Sequence, residues 1–237
     1  MQINKDTKLR DLPESIQKHL QVLASFQTKQ ALGSITFILF NLMLFPILVP
    51  FMDLYAWLTL PLVVIMNGWC IYLMFRNTYT IQLHAFLYIG ILSCVGAWGY
   101  FISTQKYAYH VLELQSPVFF LITAAGMAIV VFAILQYYKK KMSDTSTKEK
   151  KRPTSTISYL LVGIAPGMGI LFYHQVTKQS ELSLVISMVG AFYIFAVFFA
   201  YFSVKFIHKY LFMRANRHLV RLEKPLKKSK NPNIEVR

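Results

Sequence analysis

The chain has 237 residues, 55% of them hydrophobic and 15% charged, with a mean hydropathy of +0.44; this excludes an ordinary water-soluble domain and indicates a polytopic membrane protein. The formal net charge of +15 lies in stretches that flank apolar runs, which is the distribution of charge that orients spans and meets anionic lipid headgroups, so no nucleic-acid partner is expected. Cys70 and Cys94 both fall inside apolar stretches and carry no information on redox compartment.

Residues 1–30 are largely polar, and no cleavable targeting segment is expected ahead of the first long apolar run. Asp11 is placed to cap a helix, Pro13 suits an early helical position, and Glu14 stands three residues after Asp11 as in a capping box. Leu12, Ile16, Leu20 and Leu23 then recur at helical spacing, with Lys18, Gln21 and Ser25 on the other side. The pattern predicts an amphipathic leader helix, lying either in the membrane interface or on the protein's own cytoplasmic segments.

Six apolar runs follow, near 31–51, 55–75, 81–103, 117–137, 157–176 and 182–207. Each approaches the roughly 20 residues that a helix needs to cross the hydrocarbon core. Five Lys and Arg residues precede the first run, Arg76 follows the second, seven lie in the break at 138–156, and ten lie from Lys205 onward. Those twenty-three would share one side, against Lys106 and Lys178 on the other. This split predicts an all-α bundle of six spans with the N-terminus and the C-terminus both cytoplasmic. The expected organisation is a leader (1–30), a four-helix part (31–137), a basic cytoplasmic loop (138–156), a two-helix part (157–207) and a basic cytoplasmic tail (208–237). Outer connections are expected at 52–54, 104–116 and 177–181, and a tight inner turn at 76–80.

Carboxylates at membrane depth would mark proton-coupled transport or intramembrane proteolysis, and none of the six runs contains Asp or Glu. No HExxH, GxSxG or phosphate-loop motif occurs, so no catalytic residue, metal ligand or cofactor site is assigned. His84, one turn into the third run, stands as either an interfacial packing group or a relay. Asn41 and Asn67 fall at overlapping depth in two runs joined by a very short turn, which predicts a hydrogen bond between them, either as helix glue or as a polar lining.

The fifth run contains Gly163, Pro166 and Gly167 in GIAPGMG, a GxxxG with a proline that would kink the helix, either for close packing or at a substrate site. The third run repeats small residues at Gly96 and Gly99, so the third and fifth runs are candidates for tight contact. Lys139, Lys140, Lys141, Lys150, Lys151 and Arg152 are expected to form a basic cytoplasmic surface facing anionic lipid headgroups. The phrase GIAPGMGILFY resembles a stretch of the glutamate-dependent intramembrane protease family related to CAAX-processing enzymes, but the paired glutamates of that family are absent here.

The reading that follows is a multi-pass membrane protein without catalytic machinery. It is an accessory, scaffold or immunity-type protein acting through helix packing with a membrane partner or with itself. A second reading is a transport component, since six spans, inside termini and an amphipathic leader resemble the exporter-type permease half of an ATP-binding-cassette transporter. A third is a lipid-modifying enzyme using His84 or the outer groups Asp53, His110 and Glu113.

Overall fold

The computed structural model describes residues 3, 10, 12–22, 25–143, 181–220 and 222, and the regular structure among them is helical throughout. Five helical stretches are long and apolar enough to cross a membrane: Gln27–Leu48, Asp53–Phe75, Thr78–Val111, Val118–Lys140 and Glu181–Ala215. These correspond to five of the six expected runs. The run at 157–176 lies outside the described residues.

The leader forms α1 (Glu14–Leu20). Its N-cap position is held by Pro13, whose carbonyl accepts from the N–H groups of Ile16 and Gln17 at 3.0 Å; Asp11 is outside the described residues. Leu12, Ile16 and Leu20 are buried against Phe86, Tyr210, Phe212, Met213 and Leu219. The apolar side of the leader is therefore spent on the protein's own helices.

The first span is broken. It runs through α2 (Ser25–Gly33), a π turn (Ser34–Phe40), a 3₁₀ turn (Asn41–Met43) and α3 (Leu44–Leu48). Two local causes are visible. Thr36 Oγ1 donates back to Leu32 O at 2.7 Å, and Cys70 Sγ approaches the same oxygen at 3.8 Å, so this carbonyl is drawn off the α ladder where the π turn begins. Further on, Pro46 has no N–H to return to Leu42.

The second and third spans are α4 (Asp53–Phe75) and α5 (Thr78–Lys106). Arg76 and Asn77 join them, and the Asn77 side chain caps α5 by accepting from the Tyr79 N–H at 3.1 Å. The third span does not end at Ser103, nor does the expected loop begin at 104, because the helix continues through a π turn (Tyr107–Val111). The hydroxyls of Ser103 and Thr104 donate back to Gly99 O and Tyr100 O at 2.9 Å, so these polar residues satisfy themselves inside the helix instead of ending it. Burial of every residue from Phe101 to Ala108 supplies the packing that holds the extension. Glu113, at φ 53°, then turns the chain, and Leu114 N–H folds back to Ala108 O at 3.1 Å.

Two helices complete the described chain, α6 (Val118–Ser143) and α7 (Glu181–Ala215). Both outrun their expected ends at 137 and 207. In α7 the reason is packing: Tyr210, Phe212 and Met213 are buried against α1, which keeps the helix wound past the apolar run. Regular α-helix stops at Ala215 and gives way to a 3₁₀ turn at Arg217–Leu219.

Helix directions follow from the contacts. Along α5 the partners on α7 run backwards, from Gly90 against Ile207 through Gly96 against Phe199 to Tyr107 against Phe192, so α5 and α7 are antiparallel. Tyr193 meets Thr123 while Tyr201 meets Tyr138, so α6 and α7 are parallel. One end of the bundle, carrying Arg76, Lys139 and Lys140, is called the basic end below, and the opposite end the far end. The main core joins all the spans except α6 through buried residues, from Leu32, Phe40 and Met43 to Ala196 and Phe199, with Ala124 and Met127 of α6 at its margin.

Candidate functional site

The glycines of α5 set how closely its neighbours approach. At Gly90 an added Cβ would lie 2.6 Å from Ile207 Cγ1 and 3.0 Å from the Ile207 backbone nitrogen, and at Gly96 it would lie 2.7 Å from Phe199 Cδ1. At Gly99 it would overlap Met43 Sδ of the first span. Small residues here let two backbones come together where a methyl group would not fit. The glycine face thus meets α7 and the first span; the expected partner, with Gly163, Pro166 and Gly167, lies outside the described residues.

Polar contacts tie the first three spans together at several depths. Asn41 and Asn67 exchange a reciprocal pair of amide bonds, each Nδ2 donating to the other's Oδ1 at 3.0 Å, and Asn67 Nδ2 also reaches Val63 O at 2.9 Å. Nearer the basic end, Thr36 Oγ1 and Tyr88 Oη lie 2.8 Å apart, and Tyr88 Oη donates to Met66 O at 3.2 Å. Tyr88 is fully enclosed and therefore links α5 to both earlier spans. An interhelical bond of this kind contributes about 0.6–2 kcal/mol in a bilayer, enough to set a helix rotation.

The side chain that sequence reasoning misplaced is Lys106. Expected in an outer loop, it is instead fully buried in α5, where Nζ donates to Pro46 O at 3.0 Å and to Ile47 O at 2.8 Å. The chemistry of those acceptors is written in the sequence. Pro46 O would normally receive the N–H of residue 50, and residue 50 is a proline without one. α3 ends at Leu48, so Ile47 O is an unspent carbonyl of a helix C-terminus, where a cation is favoured by the helix dipole. Beside it, Tyr107 Oη donates to Val49 O. Two consecutive residues of the third span, Lys106 and Tyr107, thus hold three carbonyls at the broken end of the first span. The signal available in advance was the spacing Pro46–Pro50, which predicts an orphaned carbonyl needing an outside donor.

A third polar contact reaches α6. Gln105 Nε2 donates to Thr123 Oγ1 at 3.0 Å, and Tyr193 Oη donates to Thr123 O at 3.0 Å, so Thr123 joins α5, α6 and α7.

The remaining sequence candidates are dispersed. His84 is exposed near the basic end, its ring centroid 6.5 Å from Tyr210, with Nδ1 3.4 Å from Thr80 O. At the far end Asp53, His110 and Glu113 are all exposed, and His110 packs edge-on against the Tyr55 ring at 5.3 Å. Among the described residues no three His, Cys, Asp or Glu side chains cluster as a metal site would require. Lys139 and Lys140 are exposed on the last turns of α6, Lys141 lies in the same helix, and Lys150, Lys151 and Arg152 lie outside the described residues.

No family model matches this chain, and neither a curated protein nor a solved structure does.

Proposed function

We propose that this chain is a six-span protein of the cell membrane with both termini cytoplasmic, and that it is an accessory, scaffold or immunity-type protein rather than an enzyme. It works by packing against a partner within the membrane, a second protein or another copy of itself. Its basic end meets anionic lipid headgroups, an attraction of about 1 kcal/mol per well-placed Lys or Arg.

One observation carries this reading: three buried polar side chains of α5 hold neighbouring helices, while α6 turns its apolar residues outward. Lys106, Tyr88 and Gln105 each bond another helix. By contrast Leu121, Ile122, Ile129, Phe132 and Leu135 of α6 are exposed. The charge pattern supports the orientation, and more so with Lys106 withdrawn from the outer loop into the bundle. Brief crosslinking in the native membrane, purification in mild detergent and mass spectrometry test the reading. A stoichiometric membrane partner, or a homo-oligomer, is the expected result; recovery of a monomer alone after efficient crosslinking contradicts it.

The broken first span favours a second reading, a permease subunit, because interrupted helices line substrate sites in transporters. Against it, Arg76 and Asn77 alone separate α4 from α5, which leaves little surface for an ATPase at that turn. Recovery of an ATPase in the same experiment would favour this second reading.

A further inference from the structure

The leader is fastened to the last turns of α7 at two places. At one, the Ile3 N–H donates to Asn216 Oδ1 at 2.7 Å, and the buried Asn216 gives Nδ2 to Phe212 O at 2.9 Å. At the other, His19 of α1 meets His208 of α7 edge-on with ring centroids 5.6 Å apart, and meets Phe212 in the same manner at 5.5 Å. Tyr138 of α6 closes a third side, stacked on His208 at 5.3 Å and tilted toward His19 at 6.5 Å. The first fastening has no titratable side chain. The second is built around two imidazoles from different elements.

Phe212 belongs to the apolar cluster that receives Leu12, Ile16 and Leu20, so the imidazole pair stands at the margin of that cluster. His208 Nδ1 is buried and has no hydrogen-bond partner among the described residues. A proton on either ring puts a cation into apolar surroundings, and protons on both set two like charges side by side. The sequence brings little negative charge to this end of the helices. α5 and α6 contain no carboxylate, the one on α7 is Glu181 at the far end, and Glu14, the one on α1, is exposed five residues before His19. The flanking charges on α7 are cations. Lys205 lies over the rings of Tyr201, Phe202 and Phe206 at 5.7, 5.5 and 5.7 Å, and Lys209 lies over Phe86 of α5 at 4.4 Å. The positive amino terminus of the chain also acts on His208. From α5, His84 meets Tyr210 at 6.5 Å, and behind Tyr138 stands Tyr201, hydroxyl to hydroxyl at 3.5 Å. Tyrosine stays neutral where imidazole titrates.

We infer that His19 and His208 form an acid-sensitive latch, which holds the leader on α7 while both imidazoles are neutral and lets it go when they are protonated. A freed imidazole in water takes up its proton near about pH 6.5, so docking is complete above that pH and is lost as pH falls below it. Each proton taken up on release changes the equilibrium about tenfold per pH unit, so two protons change it by up to about 100-fold. Release frees Leu12, Ile16 and Leu20 to enter the membrane interface and uncovers Phe86, Tyr210, Phe212 and Met213 at the basic end. The latch is a property of this chain alone and holds whichever partner the bundle binds.

The test is the distance between spin labels on the leader and on α6, measured by pulsed electron spin resonance on full-length protein in lipid nanodiscs, in a background of Cys70→Ser and Cys94→Ser. Labels at the exposed positions Gln21→Cys and Lys140→Cys should give one narrow distance at pH 8 that lengthens and broadens by pH 5. A reference pair at the exposed positions Val64→Cys and Ile129→Cys should stay constant over the same range. His19→Phe with His208→Phe keeps two aromatic rings and should hold the pH 8 distance down to pH 5. His19→Gln alone, which keeps a polar side chain, should make the transition shallower. No change in the leader distance between pH 8 and 5, or an equal change in the reference pair, overturns the inference. So does a transition that is undiminished in either folded variant.

Discussion

α5 and α6 are both membrane-length helices, yet they stand at opposite extremes of burial. Of the most apolar window in the third span, 67% is buried inside the protein, against 6% in the fourth. Their composition runs the other way: the fourth span is the most apolar of the five, and the third shares the lowest rank with the second. In water the most apolar segment seeks the core, whereas in a bilayer lipid tails already satisfy an apolar surface and it is polar and small residues that need protein neighbours. α5 is central because Tyr88, Gln105 and Lys106 each bond another helix and Gly90, Gly96 and Gly99 admit close neighbours. α6 is peripheral because, apart from Thr123 and the buried Tyr138, its side chains ask little of the other helices.

The contrast is broken most severely at Lys106. Lys106→Glu sets a third acceptor against the carbonyls of Pro46 and Ile47 and should prevent stable assembly, read as loss of the monodisperse peak in detergent. Lys106→Met keeps the bulk but leaves both carbonyls unbonded. Its expected cost is about 1–3 kcal/mol in reversible unfolding by denaturing detergent, partly offset by no longer burying a charge.

Next in size are the glycines. Gly90→Ala drives a methyl group against the Ile207 side chain and backbone, so a loss of about 1–3 kcal/mol is expected, with the α5–α7 contact loosened. Gly68→Ala on α4, which has nothing within 4 Å, should be neutral or slightly stabilising in the same unfolding assay. Equal effects at the two positions would mean that close packing of α5 is not what sets stability.

A smaller effect, about 0.6–2 kcal/mol, is expected for Asn41→Leu or Asn67→Leu. Because each amide bonds the other, the double variant should cost little more than either single one. The smallest effect belongs to α6: Ile129→Ala and Phe132→Ala should change monomer stability by no more than about 0.5 kcal/mol, since both side chains face away from the described core. If these changes instead abolish partner capture, the outward face of α6 is the working surface.

Much of this was legible in the sequence, and for particular reasons. Long apolar runs located the five described spans, because length and hydropathy are what a bilayer demands. The tight turn after Phe75 placed α4 beside α5, and matched depth placed Asn41 near Asn67. The ends of α5, α6 and α7 were read too short. Ser103 and Thr104 look like a boundary by polarity, yet their hydroxyls bond back to the preceding turn, and Lys106 looks like a loop cation until the orphaned carbonyls of a proline-broken helix are counted. The leader illustrates the same limit, since an amphipathic face says that something apolar covers it but not whether that is lipid or, as here, Phe86 and Met213.

The most direct test of α5 as the hub is an oxygen-accessibility scan by spin labelling of the purified protein in lipid vesicles, over residues 85–105 and 120–135. Uniformly low accessibility at Ile89, Leu92 and Tyr100, with high values at Ile122, Ile129 and Phe132, is the predicted result. High accessibility at the three α5 positions, in protein that remains folded, would contradict a bundle built around its least apolar spans.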